Sequence, residues 1–372
     1  MSTTRRTALQ TDWILLAAAL CLVAFGLTMV LSASGIMAEK FYSDKYFFFK
    51  RQILFAMVGG GLMAVCASLP RKVLYQLQYP VLFGALLLVI LTLTPLGVNI
   101  NGARRWIALG PFTVQPMEFV KIALVLYLAY FLSTKQELVK TFSKGVIPPF
   151  FVTGLICLLL LMQPDFGAAA VLSMLLFFMC LVGGTRLIYL IVSALLAGGA
   201  GWLLIVQSPY RSRRLLAFLD PFKDAQDTGY QLVQSLYAMG SGGIAGQGLG
   251  AGKQKLFFLP EAHNDFIMAV VGEEMGFVGV SLFFIIMGVM LWRGFVIAYR
   301  QDDLRDRLTS FGLTLVLTLG AVFNLAVVMG AAPPKGVAMP FMSYGGSSLL
   351  SSFLCVGLLL NFSRTAEGSP AL

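Results

Sequence analysis

The sequence has 372 residues, of which 58% are hydrophobic and only 12% are charged, and its formal net charge is +10. A soluble domain carries about 25% charged residues, so this composition excludes a soluble globular protein. The apolar residues form blocks of roughly 20, the length that crosses a bilayer as a helix, and do not alternate with polar residues as in a membrane β-barrel. The sequence therefore predicts an all-α polytopic membrane protein.

Apolar blocks separated by polar breaks predict ten membrane-spanning helices. Their bounds are near residues 13–33, 52–69, 79–95, 117–133, 147–162, 168–183, 187–206, 266–292, 308–330 and 346–362. The first block is too long for the apolar core of a secretory signal, so we expect a retained anchor and no cleaved leader. The whole chain, 1–372, is predicted to form one membrane domain.

The distribution of Lys and Arg predicts the orientation of this domain. An even number of spans places both termini on one side of the membrane. The two sides carry equal numbers of positive charges until the loop 207–264 is discounted, because charge in a loop of roughly 60 residues ceases to steer orientation. The remaining excess predicts cytoplasmic termini and makes 207–264 a large extracytoplasmic loop.

The cysteine, histidine and basic residues argue against several kinds of site. The five cysteines are scattered through apolar blocks without the Cys-x-x-Cys spacing of a zinc site. His263 is the single histidine, so a histidine-rich metal site is excluded. The Lys and Arg residues lie in short loops and form no basic helix, which argues against nucleic acid as a partner.

The first of four polar clusters, all predicted on the extracytoplasmic side, covers residues 99–121. Arg104 and Arg105 stand beside a tryptophan at headgroup depth, where guanidinium groups suit a phosphate but also serve as interfacial anchors. Glu118 and Lys121 are three residues apart and share one face of the fourth span. Charges inside a membrane normally pair and face a bundle interior or a wet cavity. This pair therefore either shapes a site or fixes helix packing.

The second and third clusters contain turns and glycines. Residues 163–167 form a Pro-Asp turn, so ordinary turn chemistry accounts for Asp165. The third cluster includes the glycine-rich stretch 246–253, which superficially resembles a phosphate loop. Gln254 follows Lys253 where a phosphate loop has Ser or Thr, and no strand precedes the glycines. These departures exclude an ATP site.

Asp265 closes the third cluster at the mouth of the eighth span. On an uninterrupted helix, Glu273 would lie about 12 Å deeper and roughly 80° around from Asp265, and Glu274 roughly 180° around. Three acids around one span are costly in lipid and predict an internal polar site. The alternative is that Asp265 caps the helix, since Asp is favoured at an N-cap.

The fourth cluster opens the last span with Ser343, Gly345, Gly346 and Ser347. Free N–H groups and the positive end of a helix dipole suit an anionic headgroup. Small residues are also what close packing between membrane helices requires, so both interpretations stay open.

Taken together, these motifs resemble the SEDS family of shape, elongation, division and sporulation proteins, from the first span to Arg364. The resemblance is carried by Gly102-Ala-Arg-Arg-Trp106, Gln115-Pro-Met-Glu-Phe-Val-Lys121, Gln163-Pro-Asp-Phe-Gly167, Gly229-Tyr-Gln-Leu-Val-Gln-Ser235, Leu259-Pro-Glu-Ala-His-Asn-Asp-Phe266 and Pro340-Phe-Met-Ser-Tyr-Gly-Gly-Ser-Ser348. The division branch is favoured by Arg211-Ser-Arg-Arg214, Asp220-Pro-Phe222 and Lys335-Gly336. Asn264 and Pro334 depart from the threonine usual at their positions.

The resemblance implies an inverting peptidoglycan glycosyltransferase of the inner membrane, which joins lipid II disaccharides during septal synthesis. It also implies a class B penicillin-binding protein and other division proteins as partners. Asp265 matches the essential aspartate of the family, as general base or as ligand of a divalent cation such as Mg²⁺ or Mn²⁺, and no nucleotide or organic cofactor is expected. A lipid II flippase and a non-catalytic division scaffold are the alternatives.

The candidate substrate-binding residues all come from the four polar clusters. They are Arg104, Arg105, Glu118, Lys121, Gln231, Ser235, Lys335, Ser343, Gly345, Gly346 and Ser347.

Overall fold

The computed structural model describes residues 11–100, 102–110, 112–227, 229–256, 258–334 and 336–364. Within these ranges, eight helices are long and apolar enough to cross a membrane, and two shorter apolar helices, α4 and α7, complete the predicted ten. In chain order the helices are α1 (Trp13–Tyr42), α2 (Phe47–Ser68), α3 (Arg71–Gln76), α4 (Gln78–Thr92), α5 (Pro116–Thr134), α6 (Ile147–Met162), α7 (Phe166–Val182), α8 (Leu187–Val206), α9 (Pro209–Leu219), α10 (Tyr230–Gly242), α11 (Ile267–Tyr299), α12 (Leu304–Val328) and α13 (Gly346–Ser363). The predicted all-α membrane fold is confirmed.

The bundle has a buried centre and one exposed edge. The spans α5, α12 and α13 are the most buried and contact one another at the centre. Around them, α2 packs along α13, and α11 packs against both α1 and α12. At the edge lies α8, in which Leu190 is the one buried residue. Polar side chains of the central helices therefore face protein and not lipid.

The first and last described residues lie together at one end of the bundle, called here the termini end. Arg293 near the end of α11 lies 2.7 Å from the carboxylate of Asp12, which precedes α1. Arg71 of α3 forms an ion pair with Asp306 in the first turn of α12. The first turns of α5 and α7 lie at the opposite end with Asp265, called here the site end.

A small antiparallel sheet, which the sequence analysis did not anticipate, connects α4 to α5. Its strands are β1 (Gly97–Ile100), β2 (Ala103–Leu109) and β3 (Phe112–Val114), in that order. Val98 pairs with Trp106 and Asn99 pairs with Arg104, so Arg105 is the extra residue of a β-bulge. Bulges redirect side chains, and the direction taken by Arg105 decides which residues it contacts.

The segment 207–264 is not a simple surface loop. It contains α9, a short 3₁₀ turn (Pro221–Asp224) and α10, which packs along α11. Residues 243–256, called here the inserted segment, pack into a break in α11 at Gly276, where the backbone is not helical. The assumption of an uninterrupted eighth span is therefore wrong.

Candidate active site

A small cavity, partly open to its surroundings, lies at the site end between the first turns of α5 and α7. Its polar lining comes from Gln115, Glu118, Lys121 and Asp165, and its other walls include Gly320 of α12 and Gly336 with Val337. A Cβ atom added to Gly336 would lie 3.1 Å from Oδ2 of Asp265. The carboxylate of Asp265 therefore lies against the loop that forms one wall of the cavity.

The loop that carries Asp265 is fixed through its backbone. Asn324 of α12 donates from Nδ2 to the carbonyl oxygens of Asp265 and Val337, at 2.8 Å each. The hydroxyl of Ser343 donates to the carbonyl of Asn264 at 2.7 Å. These bonds hold the backbone and leave the carboxylate of Asp265 without a hydrogen-bond donor among the described residues. The side chain is thus available to a ligand.

Asp265 precedes α11 and does not cap it. Phe266 occupies the N-cap position, and no side chain makes a capping hydrogen bond there. The helix-cap interpretation of Asp265 is therefore wrong. Asp165, in contrast, caps α7 by accepting the N–H of Ala168 at 3.1 Å, a structural role beyond the turn that its sequence predicts.

Burial raises the pKa of the Asp265 carboxyl to about 7. The negative charges of Glu261 and Asp165 raise this pKa as well, whereas the positive charge of Arg105 lowers it. Burial lowers the pKa of the neighbouring His263, which packs between the rings of Phe48 and Tyr344 and is therefore neutral at pH 7. Asp265 therefore gains or loses its proton near neutral pH.

The structure separates the roles of the two arginines of β2. Arg105 reaches the turn before α7, where it donates to the carbonyl of Pro164 at 2.6 Å and lies 3.5 Å from the carboxylate of Asp165. Arg104 is exposed. One guanidinium therefore holds a wall of the cavity, and the other is accessible from outside the bundle.

Glu118 and Lys121 meet inside the cavity. Lys121 Nζ lies 2.9 Å from Glu118 Oε1, and Ser351 of α13 donates to Oε2 of the same carboxylate at 3.0 Å. The pair thus links α5 to α13 and also lines the cavity. Both interpretations left open for this pair, site shaping and helix packing, are compatible with its position.

The small residues that open α13 make packing contacts. Ser347 accepts the N–H of Gln115 at 2.8 Å, which joins α13 to the start of α5. A Cβ atom on Gly346 would lie 2.5 Å from the ring of Phe55. Gly345 donates its N–H to Gln52 at 3.4 Å. Close packing therefore accounts for Gly346, and a hydrogen bond between two helices accounts for Ser347.

The remaining candidates lie apart from the cavity lining or outside the described residues. Ser235 is fully buried in α10 and donates to the carbonyl of Val328 at 2.9 Å, which ties α10 to α12. Gln231 is half-buried in the first turn of α10. Lys335 lies outside the described residues, next to Gly336 of the cavity wall.

The two glutamates of the eighth span make their hydrogen bonds inside the protein. Glu273 and Glu274 are both buried, and their carboxylates accept backbone N–H groups of the inserted segment. The angles predicted for Glu273 and Glu274 relative to Asp265 assumed that one helix carries all three residues. That assumption is wrong, because α11 starts only at Ile267. The inserted segment therefore occupies the internal polar site that these acids predicted.

A metal site would need several ligands close together. Nowhere in the described ranges do three His, Cys, Asp or Glu side chains come together as ligands. Mg²⁺ is usually bound by one or two carboxylates together with substrate phosphates and water. Asp265, with Asp165 and Glu261 close enough to affect its pKa, is compatible with this kind of partial site.

Asn324 and Gln52 support the site and were not predicted from the sequence. Gln52 donates to the carbonyl of Ser343 at 3.2 Å, and the hydroxyl of Ser343 donates to the carbonyl of Asn264. Gln52 therefore supports the loop that carries Asp265. Both residues are buried polar side chains in apolar blocks. Such residues in a span normally have a defined partner, and this expectation would have identified them.

The fold and the cavity define a polytopic membrane protein that holds an aspartate of raised pKa beside a charged cavity at one end. The model of the cell cycle protein family that comprises FtsW, RodA and SpoVE matches residues 12–368. The chain belongs to this family.

Individual relatives match the chain over nearly its whole length. A probable peptidoglycan glycosyltransferase FtsW of Geobacter sulfurreducens is 42% identical over 96% of both chains. A chain from the structure titled "Structural coordination of polymerization and crosslinking by a peptidoglycan synthase complex" has a TM-score of 0.79 and 32% identity, and the match covers 96% of this chain and 99% of that one. The rod shape determining protein RodA of Thermus thermophilus has a TM-score of 0.72 and 30% identity, over 96% and 98%.

Proposed function

We propose that this protein is a peptidoglycan glycosyltransferase that polymerises lipid II during septal cell-wall synthesis. The observation that carries the proposal is the position of Asp265, a carboxyl of pKa about 7 against the wall of a cavity that contains Lys121. The family membership and the names of the relatives support the same reaction.

In the proposed reaction, the 4-hydroxyl of one disaccharide attacks the anomeric carbon of another. The new glycosidic bond forms as the bond to undecaprenyl pyrophosphate breaks, with inversion, and the hydroxyl proton passes to Asp265. A general base works best when its pKa lies near the operating pH, and such a group typically contributes a factor of 10² to 10⁴ in rate. The raised pKa of Asp265 meets this requirement.

The leaving pyrophosphate needs positive charge. Lys121 lies in the cavity and Arg104 is exposed on β2, so these two are our candidates for contact with the pyrophosphate. Arg105 is engaged with Asp165 and Pro164 and is proposed to shape the wall. Lys335, adjacent to Gly336, remains a further candidate.

A divalent cation is the second proposed role for Asp265. Asp265, with Asp165 or Glu261, would hold Mg²⁺ or Mn²⁺, and the ion would neutralise charge on the leaving pyrophosphate. No nucleotide or organic cofactor is proposed.

The experiment is polymerisation of lipid II by the purified protein with its transpeptidase partner and a divalent cation. We expect glycan chains from the wild type and a loss of about 100-fold or more for Asp265→Asn. Asp44→Asn is the matched control, because Asp44 is a partly exposed acid paired with Lys50 in the link between α1 and α2. Full activity of a folded Asp265→Asn protein would refute the proposal.

The flippase alternative has one observation in its favour. Transporters often contain interrupted helices, and α11 is interrupted at Gly276. However, the inserted segment fills that break and uses the carboxylates of Glu273 and Glu274. Movement of labelled lipid II across vesicles without polymer would support transport, and tolerance of Asp265→Asn in cells would support a scaffold.

The partner and orientation are part of the proposal. The structural relative belongs to a peptidoglycan synthase complex, which supports a class B penicillin-binding protein as partner. We propose that the site end is extracytoplasmic and both termini are cytoplasmic, as the charge distribution predicts, and that the protein acts at the division site with other division proteins.

A further inference from the structure

The break in α11 is an exchange of hydrogen bonds with the inserted segment. In a continuous helix the N–H groups of Phe277 and Val278 would bond to the carbonyls of Glu273 and Glu274. Here all four groups bond to the inserted segment instead. The bonds are Phe277 N–H to Gly243 O at 2.9 Å, Val278 N–H to Ile244 O at 3.1 Å, Gln247 N–H to Glu273 O at 3.0 Å and Gly248 N–H to Glu274 O at 2.9 Å. The backbone of α11 is thus satisfied only with this segment in place.

Two glycines make the exchange sterically feasible. Gly276 has φ 64° and Gly246 has φ 80°, in the left-handed region that favours glycine. A Cβ on Gly276 would lie 2.3 Å from the backbone nitrogen of Gly246, and a Cβ on Gly246 would lie 2.2 Å from the carbonyl oxygen of Glu274. The two backbones therefore pack in direct contact.

The side chain of Glu273 holds the inserted segment from within. Its carboxylate accepts the N–H groups of Lys253 at 2.8 Å and Gln254 at 3.2 Å. The residue is 1% exposed, so water does not compete for these bonds.

The side chain of Glu274 holds the same segment and connects it to α1. It accepts the N–H of Gly250 at 3.0 Å and pairs with Lys255 at 2.7 Å, with both side chains almost fully buried. The hydroxyl of Ser32 in α1 lies 2.6 Å from Glu274 Oε2 and 3.2 Å from Lys255 Nζ. The pair is therefore anchored to a span that does not line the cavity.

We propose that Glu273, Glu274 and Lys255 are positioning residues for Asp265, an inference that rests on the proposed function. The first part of α11, residues 267–275, follows Asp265 directly and is separated from the rest of the helix by the break at Gly276. Asn324 and Ser343 hold the backbone of the loop before this part, and the inserted segment with its two carboxylates holds the end of this part at the break. Loss of this arrangement allows the first part of α11 to turn at Gly276 and moves Asp265 away from the acceptor hydroxyl.

This role predicts a change in kcat with KM preserved. The inserted segment contacts α11 and α1, whereas the polar lining of the cavity comes from the starts of α5 and α7. Displacement of a reacting group by about 1 Å costs up to about 100-fold in rate. Substrate binding by the cavity lining is unchanged by such a displacement.

The experiment measures kcat and KM for lipid II polymerisation per folded molecule of Lys255→Met, Glu274→Gln and the double variant. Each single variant leaves one buried charge without its partner, and the double variant removes both charges. We expect each single variant to lower kcat about 10-fold with KM within about two-fold, and the double variant to recover most of the loss. Lys50→Met, an exposed lysine of the site end, is the matched control.

A milder variant tests the same role if the charge variants fold poorly. Ser32→Ala removes one hydrogen bond to Glu274 and keeps the ion pair, and we expect kcat to fall about two-fold to three-fold with KM unchanged. Wild-type kcat in folded Lys255→Met and Ser32→Ala, or a double variant no better than the single ones, overturns the positioning role. Activity of Asp265→Asn refutes the proposed function itself, so the two failures are distinguishable.

Discussion

The two ends of the bundle use the same charged residue types in different ways. At the termini end, Asp306 accepts from both Arg71 and Tyr75, and Arg71 also donates to Asn361. At the site end, Asp265 is held through its backbone, and no described residue donates a hydrogen bond to its carboxylate. Charges whose hydrogen bonds are all made within the protein stabilise the fold, whereas an unused carboxylate beside a cavity is available for chemistry.

The largest expected effect tests the termini end. Arg71→Met leaves the buried carboxylate of Asp306 without its cation, which costs about 3 to 5 kcal/mol of stability. We expect the thermal unfolding midpoint in detergent to fall by about 6 °C or more. The kcat of the protein that remains folded stays within about two-fold.

The exposed neighbour Lys72 on α3 provides the control, because Lys72→Met removes a positive charge that is not buried. Equal unfolding midpoints for Arg71→Met and Lys72→Met would show that the termini end does not stabilise the fold in this way.

The second effect tests the site end through the dependence of activity on pH. Asp265 accepts a proton only when it is deprotonated, so activity falls as the pH drops below its pKa of about 7. Glu261→Gln removes a negative charge that raises this pKa, so the loss of activity on acidification occurs at lower pH. Arg105→Gln removes a positive charge that lowers this pKa, and the fall moves to higher pH.

Rate against pH between 5 and 9 checks both directions. We expect a change of about three-fold at pH 6 in each case, upward for Glu261→Gln and downward for Arg105→Gln, relative to each variant's rate at high pH. Shifts in the same direction for both variants would exclude Asp265 as the group that titrates.

The smallest effect concerns Ser347 at the site end. Its hydroxyl is hydrogen-bonded within the protein, as the charged groups of the termini end are. Ser347→Ala removes the bond to the N–H of Gln115 and should cost about 1 kcal/mol of stability. If Ser347 acts in packing alone, KM for lipid II stays within about two-fold of wild type. A large rise in KM, compared with Ser348→Ala as control, would assign Ser347 to substrate binding.

The positions of the ten spans were predictable because each is a block of apolar residues whose length matches the bilayer. The predicted start of α8 at residue 187 and the end of α13 near residue 362 agree with the structure. The short strands β1 to β3 were not predicted, because a polar segment of this length lacks the alternation that identifies a strand.

The site was predictable only in part. The acids and cations of the polar clusters were visible, but the contact of Arg105 with Asp165 joins residues 60 positions apart and depends on a β-bulge. The break in α11 was invisible for a different reason. Gly276 lies in an apolar block, and hydropathy does not report which backbone groups find their partners outside the helix.

The inserted segment also has a consequence for synthesis of the chain at the membrane. Residues 243–256 emerge from the ribosome before α11, so the hydrogen-bond partners of the break are available when α11 enters the bilayer. An α11 that entered lipid first would close into a continuous helix, because unpaired backbone groups cost several kcal/mol there. It would then have to open two of its own hydrogen bonds to admit the segment. The order of synthesis therefore allows the break in α11 to form without a continuous helix closing first.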